Sequence, residues 1–258
     1  MNRIIYTLCT LIALTSCANS YDIQGSSNLP MLDGRMLYLK IYHDNDLRNV
    51  DSCDVVHGQF CFKGVVDSVM MATLFMDDES IMPVVIESGN ISIKIDNTQQ
   101  KVNGTPLNDK LTQFMEQYNR LSNRFNELDH KQSQAIMDGE DEEETNRRLN
   151  QEAAKIMQEE DRLVTTFITE NFDNVLGPGI FFMLTASYRY PELQPWIEDL
   201  LSKATDNFKN NAYVKEYVEK AKQIEAIQNG TADQPMQQQP LPQAPTPNQM
   251  AAPADSVQ

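Results

Sequence analysis

The hydrophobic period of this chain changes partway along it, and that change dictates a two-part architecture. As far as residue 105, apolar residues come in short runs broken by turn residues about every ten positions. From there they recur at Leu107, Leu111, Phe114, Tyr118, Leu121, Phe125 and Leu128, in steps of four and three without a break. Short runs of this kind suit strands, whereas alternating steps of three and four draw one stripe along a helix. The expected fold class is therefore α+β: an N-terminal antiparallel β-sandwich or barrel, then a helical hairpin and shorter helices.

Six strands are expected, over residues 36–42, 50–56, 59–65, 69–76, 82–87 and 90–96. His57-Gly58 has the form of a two-residue hairpin turn between the second and third, and Ser88-Gly89-Asn90 makes another tight turn. In the second part, Asp138-Gly139 separates the first helix from a second one that begins in the acids of residues 140–144, where the helix dipole favours them. Leu149, Ala153, Ile156, Leu163 and Phe167 continue the stripe, with Glu160 at one missed beat. Two long helices joined by a short turn pack as an antiparallel hairpin. Gly177-Pro178-Gly179 is expected to stop the second helix, with shorter helices over 180–188, 192–205 and 211–228. From Gly230 the composition turns to Pro, Gln, Ala and Thr, which cannot bury a core, so residues 230–258 are expected to form a disordered tail.

At the other end the chain opens Met-Asn-Arg, followed by an apolar run over 4–14 and then Thr15-Ser16-Cys17-Ala18. A basic start, a short apolar stretch and small residues are the parts of a secretory signal. The run is about half the ~20 residues that a bilayer-spanning helix needs. Leu14-Thr15-Ser16-Cys17 resembles the lipobox of bacterial lipoproteins, in which the Cys is acylated and becomes the mature N-terminus. Ser16-Cys17-Ala18 also fits an ordinary small-x-small cleavage site. On the lipobox resemblance, residues 1–16 are the signal peptide, Cys17 carries the lipid (palmitate among its acyl groups), and 17–20 form a lipidated linker. Two acyl chains already make anchoring stable. Surface-exposed Bacteroidetes lipoproteins carry an acidic tag after the Cys; Ala18-Asn19-Ser20-Tyr21-Asp22 holds a single acid, which favours a periplasm-facing outer-membrane location.

Charge excludes several partners. The chain has 21 Lys and Arg against 37 Asp and Glu, and loss of the leader removes only Arg3, leaving 20 against 37. Nucleic acid needs a basic footprint, and adsorption to anionic lipid needs Lys and Arg. No nucleic-acid partner is expected.

Asp51-Ser52, Val55, Gly58-Gln59-Phe60, Phe62-Lys63-Gly64, Pro83, Glu87-Ser88-Gly89 and Asn103-Gly104-Thr105 follow one pattern. They resemble the domain of unknown function that precedes thioredoxin-like domains (the AhpC/TSA and TlpA/ResA type) in Bacteroidetes lipoproteins. Asn108-Asp109 and the helices after it resemble the segment that joins the two domains there. The resemblance implies the shared N-terminal module alone, because no Cys follows Cys61 and the Cys-x-x-Cys motif is absent.

Cys53 and Cys61 are a candidate disulfide, and hairpin register decides it. With His57-Gly58 as a two-residue turn, Val56 faces Gln59, Val55 faces Phe60 and Cys53 faces Phe62, so no bridge forms without a slip. A three-residue loop would instead set Cys53 opposite Cys61, at the expense of placing Phe60 against Asp54 and Phe62 against Ser52. Hydrophobic matching favours the first register, and the second stays open.

Other candidates carry less. His43, His57 and His130 lie in different segments and have no partner at metal-ligand or triad spacing. The acids of 140–144 lack the alternating oxygens of a calcium loop. Met70, Met71, Met76 and Met82 form no regular thioether array and suit core filling. Asp67-Ser68-Val69 and Asp255-Ser256-Val257 resemble the Asp-Ser/Thr-aliphatic sites of Bacteroidetes O-glycosylation, making Ser68 and Ser256 candidate acceptors. No catalytic residue, metal site or cofactor is expected. The expected function is that of a lipid-anchored envelope protein, non-catalytic, binding an unidentified envelope protein or small ligand. The alternative is an accessory to thiol-redox or oxidative-stress proteins of the thioredoxin-like family.

Overall fold

The computed structural model describes residues 19–43 and 46–230. The leader with Cys17, the tail with Ser256, and the side chain of His43 lie outside the described residues. Eight strands come first: β1 (Ser20–Ser27), β2 (Met36–His43), β3 (Asp46–Asp54), β4 (Gln59–Val65), β5 (Met70–Met76), β6 (Glu79–Ile86), β7 (Gly89–Ile95) and β8 (Gln100–Asn103). They form two four-stranded sheets, ordered β4-β1-β7-β8 and β3-β2-β5-β6. The α+β expectation holds, with two sheets before the helices. It needs one amendment, since β1 pairs with β7 in parallel, Ile23 opposite Ile91, while every other named pair is antiparallel.

Two of the eight strands escaped the six-strand reading. β1 alternates buried Tyr21, Ile23 and Gly25 with polar residues, so its apolar content is low. β8 has four residues and one fully buried side chain, Val102. A third turn, Asp77-Asp78, joins β5 to β6 with Asp77 at φ 54°.

The expected hairpin over 50–56 and 59–65 is corrected in an instructive way. His57 and Gly58 do make the turn, with φ of 53° and 71°, and Val56 does pair with Gln59. Pairing stops there. β3 continues along β2 in one sheet, setting Cys53 against Leu37, and β4 continues along β1 in the other, setting Phe60 against Gly25 and Cys61 against Gln24. The turn is thus a corner where the chain changes sheets. A sandwich buries Val55, Phe60 and Phe62 between its two layers, which a flat hairpin cannot do.

The helices are α1 (Pro106–Asp138), α2 (Glu142–Glu170), α3 (Leu176–Thr185), α4 (Pro195–Lys203), α5 (Asp206–Lys209) and α6 (Ala212–Gln228). α1 and α2 are the expected hairpin, turned at Gly139, which caps α1 in the left-handed region. α1 is about 50 Å long at 1.5 Å per residue. Only its first half rests on the sandwich. The outer half forms an arm with α2, held by Leu121, Leu128, Leu149 and Ile156 in a small core of their own. Phe125, assigned to the buried seam, is 43% exposed. Beyond Glu160 the buried positions of α2 become Val164 and Ile168, and Leu163 and Phe167 are half-buried. The missed beat therefore marks the level where the α1–α2 pairing joins the main core, Phe167 still packing on Phe114 with ring centroids 4.4 Å apart.

Gly177-Pro178-Gly179 does not stop α2. That helix ends at Glu170, capped at Asn171, and the Gly-Pro-Gly stretch forms the first turn of α3. Pro is tolerated there because first-turn N–H groups have no intrahelical partner. Gly177 is required by proximity: a Cβ on it would run into the backbone of Asn171 and Phe172. The following helices also start later than expected, α4 at Pro195 rather than 192. One continuous core runs from the sandwich (Ile23, Leu37, Ile91) through Leu111 and Phe114 to Phe181, Phe208 and Val214.

Candidate functional site

The later residues of the pattern quoted above, Glu87, Gly104, Thr105 and Asn108-Asp109, meet at one place, the junction between the sandwich and α1. Glu87 Oε1 accepts from the backbone N–H groups of Leu107 (2.9 Å) and Asn108 (3.2 Å), supplying a carboxylate to the start of α1. Asn108 is fully buried. Its Oδ1 accepts from the Val85 N–H at 2.9 Å, and its Nδ2 donates to the Val85 carbonyl and to Thr105 Oγ1, both at 2.8 Å. Asp109 Oδ1 accepts from the Gly104 N–H at 3.0 Å. On the other sheet, Thr112 Oγ1 accepts from the Val102 N–H at 3.2 Å and donates to the Val102 carbonyl. Side chains of α1 thus satisfy backbone groups of β6 and β8, the two strands left without a neighbour on that side. Open edges attract foreign strands, and α1 seals both. This constellation is a structural lock.

Cys53 and Cys61 are free thiols, the first half-buried and the second exposed. They come together where the chain changes sheets, and the Cys61 backbone forms a hydrogen bond with the Cys53 thiol. Burial nevertheless pushes the Cys53 thiol up to about 11, outweighing that bond. Tyr21, at the same edge, donates to Asp51 Oδ2 at 3.0 Å, and burial followed by that carboxylate raises its hydroxyl to about 12. Ser68 is exposed on the bend between β4 and β5. His57 sits exposed in its turn and His130 is exposed on the arm. Among the acids of 140–144, Asp141 caps α2 by accepting from the Glu144 N–H at 2.9 Å, and Glu140 accepts from Arg148 at 2.9 Å. Among the described residues no group of three or more His, Cys, Asp and Glu is arranged to hold a metal.

A concavity walled by aromatic rings lies elsewhere, where the end of β2 and the start of β3 face α3 and α6. Its centre is a trio of rings. Tyr42 and Phe182 have centroids 4.7 Å apart, Phe182 and Tyr213 meet edge to face at 4.7 Å, and Tyr42 and Tyr213 edge to face at 5.6 Å. Such geometries suit the positive edge and negative face of aromatic rings. On one side of the trio a basin of about 560 Å³ is walled by Met70, Met71, Val69, Pro178 and Gly179. On the other, a basin of about 280 Å³ is walled by Tyr188, Pro191, Tyr217 and Lys220. Tyr42, Leu47, Phe182 and Tyr213 border both, so the two are halves of one cleft.

Each wall has a local cause. Phe181 and Phe182 are successive on α3, about 100° apart, so one enters the core and the other faces the cleft. Asn211 caps α6 by accepting from the N–H groups of Tyr213 and Val214. Tyr213 and Tyr217, four residues apart, then share a face. Thr185 Oγ1 donates to the Phe181 carbonyl at 2.7 Å, so the Tyr213 hydroxyl, 2.9 Å away, must donate to Thr185. Tyr217 donates to the Glu192 carbonyl at 3.0 Å and accepts from the Glu192 N–H at 3.2 Å, pinning the α3–α4 connection against α6. Burial raises the hydroxyl pKa of both tyrosines, which keeps them neutral at physiological pH. Lys40, Arg48, Lys220 and Glu216 stand around the cleft, the Lys220 ammonium 2.5 Å from Glu216. Apolar walls with a few polar groups around them are the make-up of a binding site. The cleft offers stacking and burial.

Of the cleft residues the sequence marked Ser68, as a glycosylation acceptor, and weighed Met70 and Met71 as core filling, but it marked none of the rings. A Tyr-x-x-x-Tyr pair on a helix and a Phe-Phe doublet read as core stripe, and Tyr42 lies far from both along the chain. Only the packing of α3 and α6 against the sheet brings them together.

No curated protein matches this chain. Residues 21–111 match one family model, covering all of the sandwich except its first residue and the first turns of α1, from Tyr21 to Leu111, including the lock at Glu87 and Asn108 but not α3 or α6. That stretch is a domain of the family described as Domain of unknown function (DUF4369).

Proposed function

We propose that the chain is a non-catalytic binding module of the bacterial envelope, tethered by lipid at Cys17 and binding through the aromatic cleft. The observation that carries the binding role is the ring trio of Tyr42, Phe182 and Tyr213 with an apolar basin on either side. Rings and methionines at a surface give large contact area, and the structural lock around Asn108 fixes the sheet on which one wall stands. The tether rests on the leader and on Leu14-Thr15-Ser16-Cys17. No described helix is long and apolar enough to cross a membrane.

This module would be the one that precedes thioredoxin-like domains in Bacteroidetes lipoproteins. The thiol-redox alternative draws less support. Exchange-active cysteines have depressed pKa values, and burial drives Cys53 the other way. Replacing Cys17→Ser tests the tether: the protein should leave the membrane fraction or accumulate as an uncleaved precursor. Normal processing together with unchanged membrane retention would overturn it.

A further inference from the structure

The two flanks of the α1–α2 arm are unlike. Along one run the ion pairs Arg124–Glu159 and Lys131–Glu152. On the other, the Tyr118 hydroxyl bonds to Glu160 at the body end, and Gln132 donates to Asn146 at 3.1 Å toward the tip. Phe125 is seven residues from both Tyr118 and Gln132, and Ala153 is seven from both Asn146 and Glu160, so the two stand on this second flank between its hydrogen-bonded pairs. Met157, one turn from Ala153, and Ile136, one turn from Gln132, complete the row. Phe125, Met157 and Ile136 are 43%, 56% and 67% exposed. Toward the body the same flank is covered: Val164, seven residues beyond Met157, is buried in the main core with Ile180 of α3 and Ile197 of α4. The exposed row therefore continues a surface against which helices already pack.

Charge is divided just as unevenly. Residues 118–160 hold six Lys and Arg. Arg124 and Lys131 belong to the ion pairs, and Arg120, Arg148 and Lys155, each four residues from a member of those pairs, share their flank. Arg147 stands with Glu143 and Ala154 on the outer face of α2. The apolar flank has acids instead: Glu160, Asp129 one turn from Phe125, and Glu142, which borders a notch at the tip with Gln132, Ile136 and Asn146.

We propose that this flank of the arm seats an amphipathic helix of a partner protein, with its apolar face on Phe125, Met157 and Ile136 and Lys or Arg along its margins. Such a helix would pack as the third member of a short bundle. The row from Tyr118 to Ile136 is about 27 Å long, the length of about 18 helical residues. Complementary charge selects the partner. A second copy of the chain would set acid against acid along the row, and an anionic lipid surface would meet the same acids. The inference concerns α1 and α2 alone, and adds a second surface to the one offered by the aromatic cleft.

A dye-labelled model helix of that length, with Leu on one face and Lys elsewhere, is the probe, titrated into the full-length protein and followed by fluorescence anisotropy. It should bind saturably, and the same peptide with Glu in place of Lys should not. Phe125→Gln/Met157→Gln should weaken binding at least tenfold at unchanged helical circular dichroism, since both side chains are exposed and Gln keeps helix propensity. Asp129→Lys should weaken it at least threefold more than Glu127→Lys, which makes the same change of charge on the ion-paired flank, four residues from Lys131. No saturable binding, or equal affinity for the double variant, would overturn the proposal. Equal effects of the two Lys substitutions would overturn it as well, by reducing the attraction to net charge. Light scattering should give the same mass for the unliganded protein and the double variant. A native dimer that Phe125→Gln/Met157→Gln splits would assign the flank to a second copy and reject the partner helix.

Discussion

Asn108 makes three hydrogen bonds in a site closed to water, two of them to one residue of a neighbouring strand. Replacing it by Ala leaves both the N–H and the carbonyl of Val85 without their partner, and each stranded group costs ~1–3 kcal/mol. Asn108→Ala should lose about 3 kcal/mol, read as a lower urea midpoint at unchanged slope. Asn108→Asp should be no better, since it keeps an acceptor for the N–H but faces the Val85 carbonyl with a second acceptor. The cysteines differ just as sharply. Cys61 is exposed, whereas Cys53 is half-buried with its thiol pushed up to about 11. Iodoacetamide at pH 8 should label Cys61 in the folded protein and reach Cys53 only after denaturation. Equal labelling rates, followed by mass spectrometry of the peptides, would show that Cys53 is not held in that environment. These two residues lie in segments whose strand and helix character the sequence shows. Their partners Val85 and the Cys61 backbone are set by sheet order, which no local pattern encodes.

The α1–α2 hairpin is two structures in one. Near the sandwich its residues share the main core through Leu111 and Phe114, while the outer arm depends on Leu121, Leu128, Leu149 and Ile156 alone. Along one flank run the pairs Arg124–Glu159 and Lys131–Glu152, at 2.5 and 2.6 Å, all substantially exposed. Exposed ion pairs add little, so the arm's order comes from its thin apolar seam. Leu128→Ala should remove about 2–3 kcal/mol from the arm, as for other buried leucines. Amide exchange over residues 121–156 should speed up while the amides of β1 and β7 stay slow. Uniform acceleration across the chain would instead mean that the arm and the body open together. The helical period marked both helices and their turn, though not the end of α2 at Glu170, because a long amphipathic stripe is a local property. It could not say that Phe125 stays 43% exposed, because the stripe is wider than the single partner helix covers.

On the scale of the whole molecule, one core joins the sandwich to α3–α6, so these parts should unfold together. Trp196, the only tryptophan, packs near Phe181 with ring centroids 6.2 Å apart and reports on the helical side of that core. Alkaline pH should weaken the assembly. The Cys53 thiol rises from near 9 to about 11, and Tyr21 from near 10 to about 12. Both groups stay protonated in the folded chain after the unfolded chain has released its protons. Their contribution is therefore complete below pH ~9 and is lost as pH rises through 11 to 12. Urea midpoints followed by Trp196 fluorescence should be flat from pH 7 to 8.5 and fall above pH 9.5, and Cys53→Ala should move the onset of that fall upward. A midpoint independent of pH up to 11 would contradict the burial of these groups.

By itself the sequence determined the α+β class, the switch from strands to helices near residue 105, the helical hairpin and its turn, and the tight turn at His57-Gly58. Each of these is written in residues adjacent along the chain, through side-chain period, helix capping or a left-handed turn. Tertiary structure alone decided that the strands on either side of that corner join different sheets, that β1 runs parallel to β7, and that α1 seals two open edges. It also decided that Tyr42, Phe182 and Tyr213 share one cleft. Those outcomes depend on which surfaces from separate elements bury each other, and the alternation of apolar and polar residues says only that a face will be buried, not against what.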